Sequence, residues 1–385
     1  MDMDKVLYYG SSTQIHSGAS QWMYRLAKGM ADQGWESLSI LPDDQGIASW
    51  YRDAGLDIQF CWSEPLRARR SAVGHLCYLL AAMLSVFSLA LLVRRENVDI
   101  VHINDIRYPF GLVAGKLAGA TTVCHVRACL QSSLVRAILS RFVVLFSDEV
   151  VCVSERTKEV MFKDIGIESN KIRVVYDGLP SPERFEGQTS DSKFRDEISV
   201  NKSSLLVLQV SKLTRNKGQD RMLDVARRLL EEDIDVEFAI VGGPVEDHEE
   251  YAEMLRNRAS DLPNVHLTGF HPDIVSAINA ADVLVHVPRH DDPFPGVVLE
   301  GMAAGKPVVG SRSGGIPEQI TDGETGFLIS ETGSADDIAD RIRYLYKNER
   351  ERERIGENAI QRAFSAFPVE EHFDEIKAVY DRAST

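Results

Sequence analysis

The feature that most limits the possible folds is an alternation of short β-branched runs with longer helical segments along almost the whole chain. KVLYYG at residues 5–10 and VDIVHIN at 98–104 are typical of buried strands, and the segment SQWMYRLAKGMADQG that separates two such runs is helical in pattern. Strands joined by helices pair in parallel through crossover connections, so the alternation predicts a doubly wound α/β architecture. The predicted strands are residues 5–10, 36–41, 57–62, 98–104, 121–127, 149–154, 172–178, 205–213, 236–243, 265–270, 283–289, 307–311 and 326–329.

The alternation stops between Leu179 and Ser204, where Pro, Ser, Asp and Glu dominate, and it restarts at residue 205. A chain of 385 residues is also too long for one small core. We therefore predict two successive domains, residues 1–185 and 186–368, followed by a C-terminal helix at 369–385 that can pack back on the first domain. Ligands bind beyond the carboxyl ends of such sheets, so we expect a site in the cleft between two facing domains.

The acidic excess of the chain is confined to its second half. Residues 1–180 contain 19 Lys and Arg and 19 Asp and Glu, whereas residues 181–385 contain 24 and 39. This distribution argues against nucleic acid as a partner. The five cysteines include no Cys-x-x-Cys pair, which favours reduced thiols in a cytoplasmic protein, and the start MDMDKVLYYG is unlike a signal peptide.

Residues 72–93 form a stretch without a formal charge, bounded by arginines on both sides. Its length alone would allow a membrane span, but His75, Ser85 and Ser88 within it favour a buried or surface-docking helix. We hypothesise peripheral contact with an anionic membrane surface at the inner face of the membrane. The arginines of the first domain that would support this contact are Arg67, Arg69, Arg70, Arg94, Arg95, Arg127, Arg136 and Arg141.

Two loops that follow strands contain groups suited to a diphosphate. Gly10 and Gly18 flank a polar loop that opens a helix, and helix N-termini bind anions, although a plain strand-to-helix turn explains this loop equally well. Lys212 and Lys217 follow a strand in VSKLTRNKGQD and bring two ammonium groups to its end. Taken alone, this second loop is also compatible with a solvated turn.

The stretch DDPFPGVVLEGMAAG at residues 291–305 combines a fixed turn with a helix start. Pro293 and Pro295 fix the turn, and Gly296 allows a ligand to approach the backbone where the helix begins. Glu300 lies a turn further on among apolar residues, where a carboxylate destabilises unless it is paired or solvated. A ligand-facing role for Glu300 is therefore favoured, with Asp292 just before the turn.

Several motifs, which occur along the chain in the family's order, resemble those of the retaining glycosyltransferases of family 4. SGAS at 17–20 resembles the family's N-terminal Gly-Gly loop, SKLTRNKG its Gly-Arg-Leu-x-x-x-Lys-Gly, and DPFPGVVLE at 292–300 its Glu-x7-Glu signature. VSERTKEVMFKDIGIESNKIRVVYDG and SGGIPEQITDGETGFLI resemble two further family segments, so the likeness extends from about residue 5 to 380. It implies the GT-B fold, with two doubly wound Rossmann-like domains facing across a deep cleft. Residues 1–185 would bind the acceptor and residues 186–368 the nucleotide sugar.

Four positions depart from the family pattern. Asp292 replaces the first Glu, Lys212 replaces an Arg, Ser17 replaces the first Gly, and Asp177 stands where Asn is usual. Asp is one methylene shorter than Glu, and Lys cannot reproduce the bidentate fork of Arg. Charge is kept at Asp292 and Lys212, but their reach and the choice of donor are open.

The resemblance also implies roles for individual residues. Lys212 and Lys217 would neutralise the donor diphosphate, Glu300 would bind the ribose, and Asp292 would hold hydroxyls of the transferred sugar. His125 matches the family's active-site histidine and would position the sugar. The implied catalytic residues are His125, Asp292 and Lys217, with no metal ligand. The implied donor-binding residues are Gly18, Lys212, Lys217, Phe270 at the base, Asp292, Phe294, Pro295, Gly296, Val297, Val298 and Glu300.

Two other histidines lie inside predicted strands. His102 and His286 are expected to be satisfied core side chains, because that role is the more ordinary one for a histidine in a strand. We assign them no catalytic role from the sequence.

The resemblance implies a hexosyltransferase that moves a sugar from a UDP- or GDP-sugar to a glycan or lipid-linked acceptor with retention. It would need no cofactor and no metal, and would act in cell-surface polysaccharide or glycoconjugate synthesis. Two alternatives remain open at this point: a sugar-nucleotide epimerase with the same fold, and an inactive paralogue that only binds a nucleotide sugar.

Overall fold

The computed structural model describes residues 4–12, 14, 17–61, 65–66, 72–180, 182–185, 193–245, 248–331 and 333–384. The chain forms two compact units. Met1–Tyr176 together with Glu370–Thr385 make the first, and Asp177–Val369 make the second. The sequence-based boundary between residues 185 and 186 falls inside the second unit.

Each segment predicted as a strand contains a strand in the described residues, and each strand pair is parallel. The doubly wound α/β prediction is therefore confirmed. The strands are β1 (Lys5–Tyr9), β2 (Glu36–Leu41), β3 (Asp57–Phe60), β4 (Ile100–Ile103), β5 (Thr121–Val126), β6 (Glu149–Cys152), β7 (Ile172–Val174), β8 (Leu205–Val210), β9 (Val236–Val241), β10 (Val265–Gly269), β11 (Val283–His286), β12 (Val308–Ser311) and β13 (Gly326–Ile329).

Helices connect these strands, as a parallel sheet requires. They are α1 (Gly18–Asp32), α2 (Ala48–Asp53), α3 (Ala72–Arg95), α4 (Phe110–Ala118), α5 (Ser133–Phe146), α6 (Glu155–Met161), α7 (Lys193–Glu197), α8 (Gln219–Glu231), α9 (Glu249–Ala259), α10 (Ile274–Ala280), α11 (Gly296–Ala303), α12 (Ile316–Gln319), α13 (Ala335–Lys347), α14 (Glu349–Ala366) and α15 (Val369–Ala383).

The first unit is a sheet in the order β3-β2-β1-β4-β5-β6-β7, with a hydrophobic core on each face. Successive residues of a strand point to opposite faces, so Leu7 and Tyr9 of β1 enter one core whereas Val6 and Tyr8 enter the other. Helices α3, α4 and α5 cover the first of these faces, and α1, α2 and α15 cover the second.

The C-terminal helix α15 is a part of the first unit. Ile376, Val379 and Tyr380 are fully buried in its core. Burial of side chains of this size stabilises by roughly 1.5–3 kcal/mol each. The Tyr380 hydroxyl also lies 2.8 Å from Nδ1 of His102 on β4, which ties the helix to the centre of the sheet.

Helix α3 corresponds to the uncharged stretch at residues 72–93. Val86, Leu89, Ala90 and Val93 on one side of it are buried against the sheet. No helix in the described part of the chain combines the length and the apolar character needed to cross a membrane.

The second unit is a sheet in the order β10-β9-β8-β11-β12-β13. Its first core lies under α8, α9 and α13, where residues such as Leu223, Leu255 and Ile342 are completely buried. Strands β8 and β11 are neighbours although β9 and β10 lie between them in sequence. The strand order therefore reverses between β8 and β11.

Candidate active site

The loops after β8 and β11 meet at the point where the strand order of the second unit reverses. In an open parallel sheet this switch point leaves a crevice beyond the carboxyl ends of the strands, and ligands bind there. Residues 211–218 follow β8 and residues 287–295 follow β11, so the two donor loops predicted in the second unit lie at this edge.

The loop after β8 is held in a single shape by two glutamines. Nε2 of Gln219 donates to Oγ of Ser211 at 2.9 Å and to the carbonyl of Lys212 at 2.8 Å. Nε2 of Gln209 donates to the carbonyl of Lys217 at 2.8 Å. These bonds fix the backbone at both ends of the loop.

Gly218 closes the same loop in a conformation that demands glycine. Its φ of +71° lies in the left-handed region, and a Cβ would stand 2.5 Å from the carbonyl oxygen of Val287. The two loops are therefore packed backbone to backbone, which brings Lys217 beside the loop that carries Asp292.

One carboxylate oxygen of Asp292 is bonded by both Lys217 and His286. Nζ of Lys217 forms a short ion pair with Oδ2 of Asp292, and Nε2 of His286 lies 2.9 Å from the same oxygen. The Asp292 side chain is 13% exposed and the His286 side chain 2% exposed. His286 is buried, as expected, but its bond to Asp292 is a contact that the sequence did not indicate.

These contacts determine the charge of the Asp292 carboxyl group. Burial by itself would raise the pKa of Asp292, but the Lys217 cation and the hydrogen bond from His286 outweigh burial and hold that pKa well below its usual value. Burial also lowers the pKa of His286, against the opposing effect of Asp292, so the ring is neutral near pH 7. Asp292 is therefore an anion that can only accept hydrogen bonds.

The backbone of Asp292 is fixed by the loop after β12. The Gly315 amide donates to the Asp292 carbonyl at 2.9 Å, and the Gly314 amide donates to Oδ1 of Asp291 at 2.6 Å. A Cβ at Gly314 would lie 1.9 Å from the Asp292 carbonyl oxygen, so this close approach requires the first glycine of SGG. Sequence reasoning had used SGG only as part of a family resemblance.

Helix α11 starts directly after this turn, with Pro295 as its N-cap. Val298, Leu299, Gly301, Met302 and Ala303 face the core. Gly296, Val297, Glu300 and Ala304 share the partly exposed face. Glu300 thus lies on the face away from the apolar core. The first amides of a helix have no acceptor within the helix, so those of α11 can bind an anion.

The remaining donor-binding candidates of this unit differ in exposure. Phe270 follows β10, is 50% exposed and stands beside Gly243 at the end of β9. Phe294, in contrast, is buried, and its ring lies 5.7 Å from that of Phe367. Lys212 is partly exposed in the loop after β8.

Gly18 and His125 belong to the first unit. Gly18 begins α1, and a Cβ there would meet no atom of the described residues within 4 Å. His125 is fully buried in β5, with Nδ1 at 3.4 Å from Nη2 of Arg127. Burial and the Arg127 cation keep the pKa of His125 well below its ordinary value.

A cluster of rings surrounds His125. The ring of His102 lies 5.5 Å from it and that of His372 lies 6.3 Å from it. The pKa of His102 is lowered to about 3, mainly by burial. The His102 ring contacts Tyr380, so the prediction of a core position for His102 agrees with its surroundings. In the described residues no three His, Cys, Asp or Glu side chains are grouped as metal ligands would be.

Comparison with known proteins agrees with this architecture. HepE of Anabaena, solved in complex with UDP-glucose, superposes with a TM-score of 0.84 at 22% identity over 97% of this chain and 98% of its own. The chain has two doubly wound units, and its fold is similar to that of HepE. It is therefore a protein of the GT-B fold class.

The family is shown by the sequence comparisons. The model for glycosyl transferases group 1 matches residues 190–362, and the model for glycosyltransferase family 4 matches residues 16–181. The chain belongs to family 4 of the glycosyltransferases, and it is an enzyme of the EC 2.4 class. The resemblance predicted from the motifs is confirmed.

Two curated relatives have defined reactions. An N,N'-diacetylbacillosaminyl-diphospho-undecaprenol alpha-1,3-N-acetylgalactosaminyltransferase of Campylobacter jejuni is 26% identical over 90% of this chain and 92% of its own length. A UDP-Gal:alpha-D-GlcNAc-diphosphoundecaprenol alpha-1,3-galactosyltransferase of Escherichia coli is 25% identical over 78% of this chain and 80% of its own. Both names describe transfer to a lipid-linked sugar.

Proposed function

We propose that this enzyme moves a hexose from a UDP- or GDP-sugar to a hydroxyl of a lipid-linked or growing glycan, with retention of configuration. The observation that carries the proposal is the Lys217–Asp292 pair at the switch point of the second unit, directly before the N-terminus of α11. It places a cation for a diphosphate beside a carboxylate for sugar hydroxyls, directly before the free amides of a helix N-terminus.

The site would stabilise the leaving group rather than attack the sugar. A departing nucleoside diphosphate gains negative charge, and positive groups already in position lower that barrier. Lys217, Lys212 and the amides at Gly296 and Val297 supply such groups. The acceptor hydroxyl would attack from the same face, its proton passing to the departing phosphate oxygen, while the bond from the sugar to that oxygen breaks. Asp292 would hold the sugar hydroxyls and Glu300 the ribose.

The acceptor side of the proposal rests on the first unit and on the relatives. Both relatives named above use undecaprenyl-diphosphate-linked sugars. We assign acceptor binding to the first unit, and we propose Gly18 and His125 as its functional residues, Gly18 for a diphosphate and His125 as a hydrogen-bonding group for a sugar. The product would be a cell-surface polysaccharide or glycoconjugate.

The donor can be identified by ligand stabilisation followed by turnover. A nucleotide sugar that binds the folded state at a hundred times its Kd stabilises it by about 2.7 kcal/mol, which is measurable as a rise in melting temperature. We expect one UDP- or GDP-sugar to raise the melting temperature more than its free nucleoside diphosphate does, and to release that diphosphate when a lipid-linked acceptor is added. Stabilisation without transfer to any acceptor would indicate the inactive paralogue, and conversion of the nucleotide sugar without an acceptor would indicate the epimerase.

Membrane contact is the second part of the proposal, and exposed apolar side chains of the first unit support it. Eight large apolar residues of α3 and α5 are between 50% and 73% exposed. Both helices cover the same face of the sheet. We call these residues the apolar helix surface: Leu80, Met83, Leu84, Phe87, Leu91, Leu134, Ile138 and Leu145.

Cations flank the apolar helix surface. Arg94 and Arg95 end α3, and Arg141 is exposed on α5. An apolar face with basic residues at its edge suits the interface of an anionic bilayer, where each Lys or Arg near the surface contributes about 1 kcal/mol. Arg67, Arg69 and Arg70, which the sequence also indicated, lie outside the described residues. We therefore place the enzyme at the inner face of the cytoplasmic membrane.

Replacing Leu84 and Phe87 together by Asp is expected to weaken binding to phosphatidylglycerol vesicles at least ~10-fold, because burying each such side chain contributes roughly 1.5–3 kcal/mol. Co-sedimentation at low salt measures this. Ile360→Asp on α14 is a matched control, since Ile360 is an exposed apolar residue of the second unit. The four tryptophans stand at positions 22, 35, 50 and 62, so intrinsic fluorescence checks that the first unit is folded. Unchanged binding of the double variant, or of Arg67, Arg69 and Arg70 replaced by Ala, would contradict membrane docking by this face.

A further inference from the structure

We infer that His286 is a positioning residue for sugar transfer, which holds Oδ2 of Asp292 and leaves Oδ1 to the hydroxyls of the donor sugar. The inference rests on the proposed role of Asp292 and adds a residue that neither the motifs nor the family models assign. Its basis is that the Lys217 ammonium and the neutral His286 ring both bond to the same carboxylate oxygen of Asp292.

The hydrogen bonds from Lys217 and His286 use only Oδ2 of Asp292, so Oδ1 can accept from a ligand. Nε2 of His286 and Nζ of Lys217 both bond to Oδ2. In the part of the chain that the structure describes, no side chain donates to Oδ1 of Asp292. A carboxylate held through one oxygen keeps full accepting capacity on the second, which is the arrangement needed to bind a sugar hydroxyl.

His286 is built to be a fixed hydrogen-bond donor. It ends β11, where its backbone is paired with Gly310 of β12, and only 2% of its side chain is exposed. Because a carboxylate only accepts, the proton of the neutral ring is on Nε2. Nδ1 is buried and has no hydrogen-bond partner among the described residues, so a second proton there would be costly. The ring therefore donates from Nε2 and does not act as an acid or a base.

Lys217 cannot perform this task alone. Its side chain is 30% exposed, and the proposed function assigns its ammonium to the donor diphosphate. A bound diphosphate competes with Asp292 for that ammonium. The His286 ring is confined to its strand and cannot follow the phosphate, so its bond is the one that keeps Asp292 in place after the donor binds.

The hydrogen bond from His286 matters more for an aspartate at position 292 than it would for a glutamate. The Asp292 side chain is one methylene shorter than the Glu usual at this position, so the carboxylate reaches less far from the backbone. A small rotation then removes its oxygen from a sugar hydroxyl, and misplacement of about 1 Å can lower a rate ~100-fold. The histidine prevents that rotation.

The matched variants His286→Gln and His286→Asn test the inference. Both put an amide into the same buried position, but only the amide nitrogen of Gln can reach where Nε2 of histidine lies. We expect His286→Asn to lower kcat for sugar transfer about 10- to 100-fold, the effect of losing a hydrogen bond to a charged group, while His286→Gln retains most of kcat. Affinity for the free nucleoside diphosphate, measured by calorimetry, should change less than about twofold in both variants, since His286 acts at the sugar end.

A double variant of His286 and Asp292 distinguishes positioning through Asp292 from a general structural effect. His286→Asn combined with Asp292→Ala should be no slower than Asp292→Ala alone, because His286 acts only through that carboxylate. Equal loss in the Gln and Asn variants, weakened diphosphate binding in the Asn variant, or additive losses in the double variant would each overturn the inference. If the wild-type enzyme transfers no sugar, the proposed function fails instead, and the diphosphate affinities still report on the site.

Discussion

Lys217→Ala is expected to lower sugar transfer at least ~100-fold, mainly through kcat. The lysine ammonium is the cation paired with Asp292 at the switch point, and it would stabilise the charge that develops on the leaving diphosphate. A ~100-fold loss corresponds to about 2.7 kcal/mol of transition-state stabilisation, which is the usual size of one such contact. Steady-state rates with saturating acceptor measure the change.

The same substitution has a second effect that must be separated from the first. Lys217 lowers the pKa of Asp292, so its removal raises that pKa and leaves a buried carboxylate with less compensation. Lys217→Arg keeps the positive charge and should recover part of the rate, and Lys347→Ala, at an exposed lysine of α13, is the matched control. A near-normal rate for Lys217→Ala would show that the diphosphate is bound elsewhere.

Glu300→Ala is expected to lower kcat/KM for the donor at least ~100-fold. Glu300 lies on the partly exposed face of α11, four residues after the first helical residue, Gly296. A carboxylate there can accept from both ribose hydroxyls, and hydrogen bonds to a charged group contribute about 1.5–3 kcal/mol each. Donor titrations at fixed acceptor concentration measure the effect.

Two comparisons make the Glu300 result specific. Glu300→Gln keeps one accepting oxygen and loses the charge, so it should fall between the wild type and Glu300→Ala. Glu357→Ala removes an exposed carboxylate from α14 of the same unit and should leave the rate unchanged. Equal rates for wild type and Glu300→Ala would remove Glu300 from the donor site.

The strands and the donor loops were accessible from the sequence because their signals are local. A β-branched run such as that of β8 and the turn Pro293–Pro295 depend on neighbours within a few residues. The family motifs in the same loops then suggested the roles that we propose for Lys217, Asp292 and Glu300. The prediction that His286 is a core histidine missed its bond to Asp292, although the two residues are only six apart, because nothing in the spacing tells which way the turn folds back.

Helix α3 shows a limit of periodicity. Every position from 72 to 93 is uncharged, and most are apolar, so the pattern does not mark which side faces the core. The structure buries Val86, Leu89 and Val93 and exposes Leu84 and Phe87. Only packing of the helix on the sheet creates the apolar helix surface.

The sequence alone determined the doubly wound architecture and the family, and it indicated the two loops to which we assign the donor, since each depends on the order and type of nearby residues. The tertiary structure decided which groups meet. Lys217 and Asp292 are 75 residues apart, and they pair because the crossover places β8 beside β11 and brings the ends of both strands to one edge of the sheet. Sheet order is a property of the whole unit's packing, which no local pattern encodes, and so the shared oxygen of Asp292 became visible only in the folded chain.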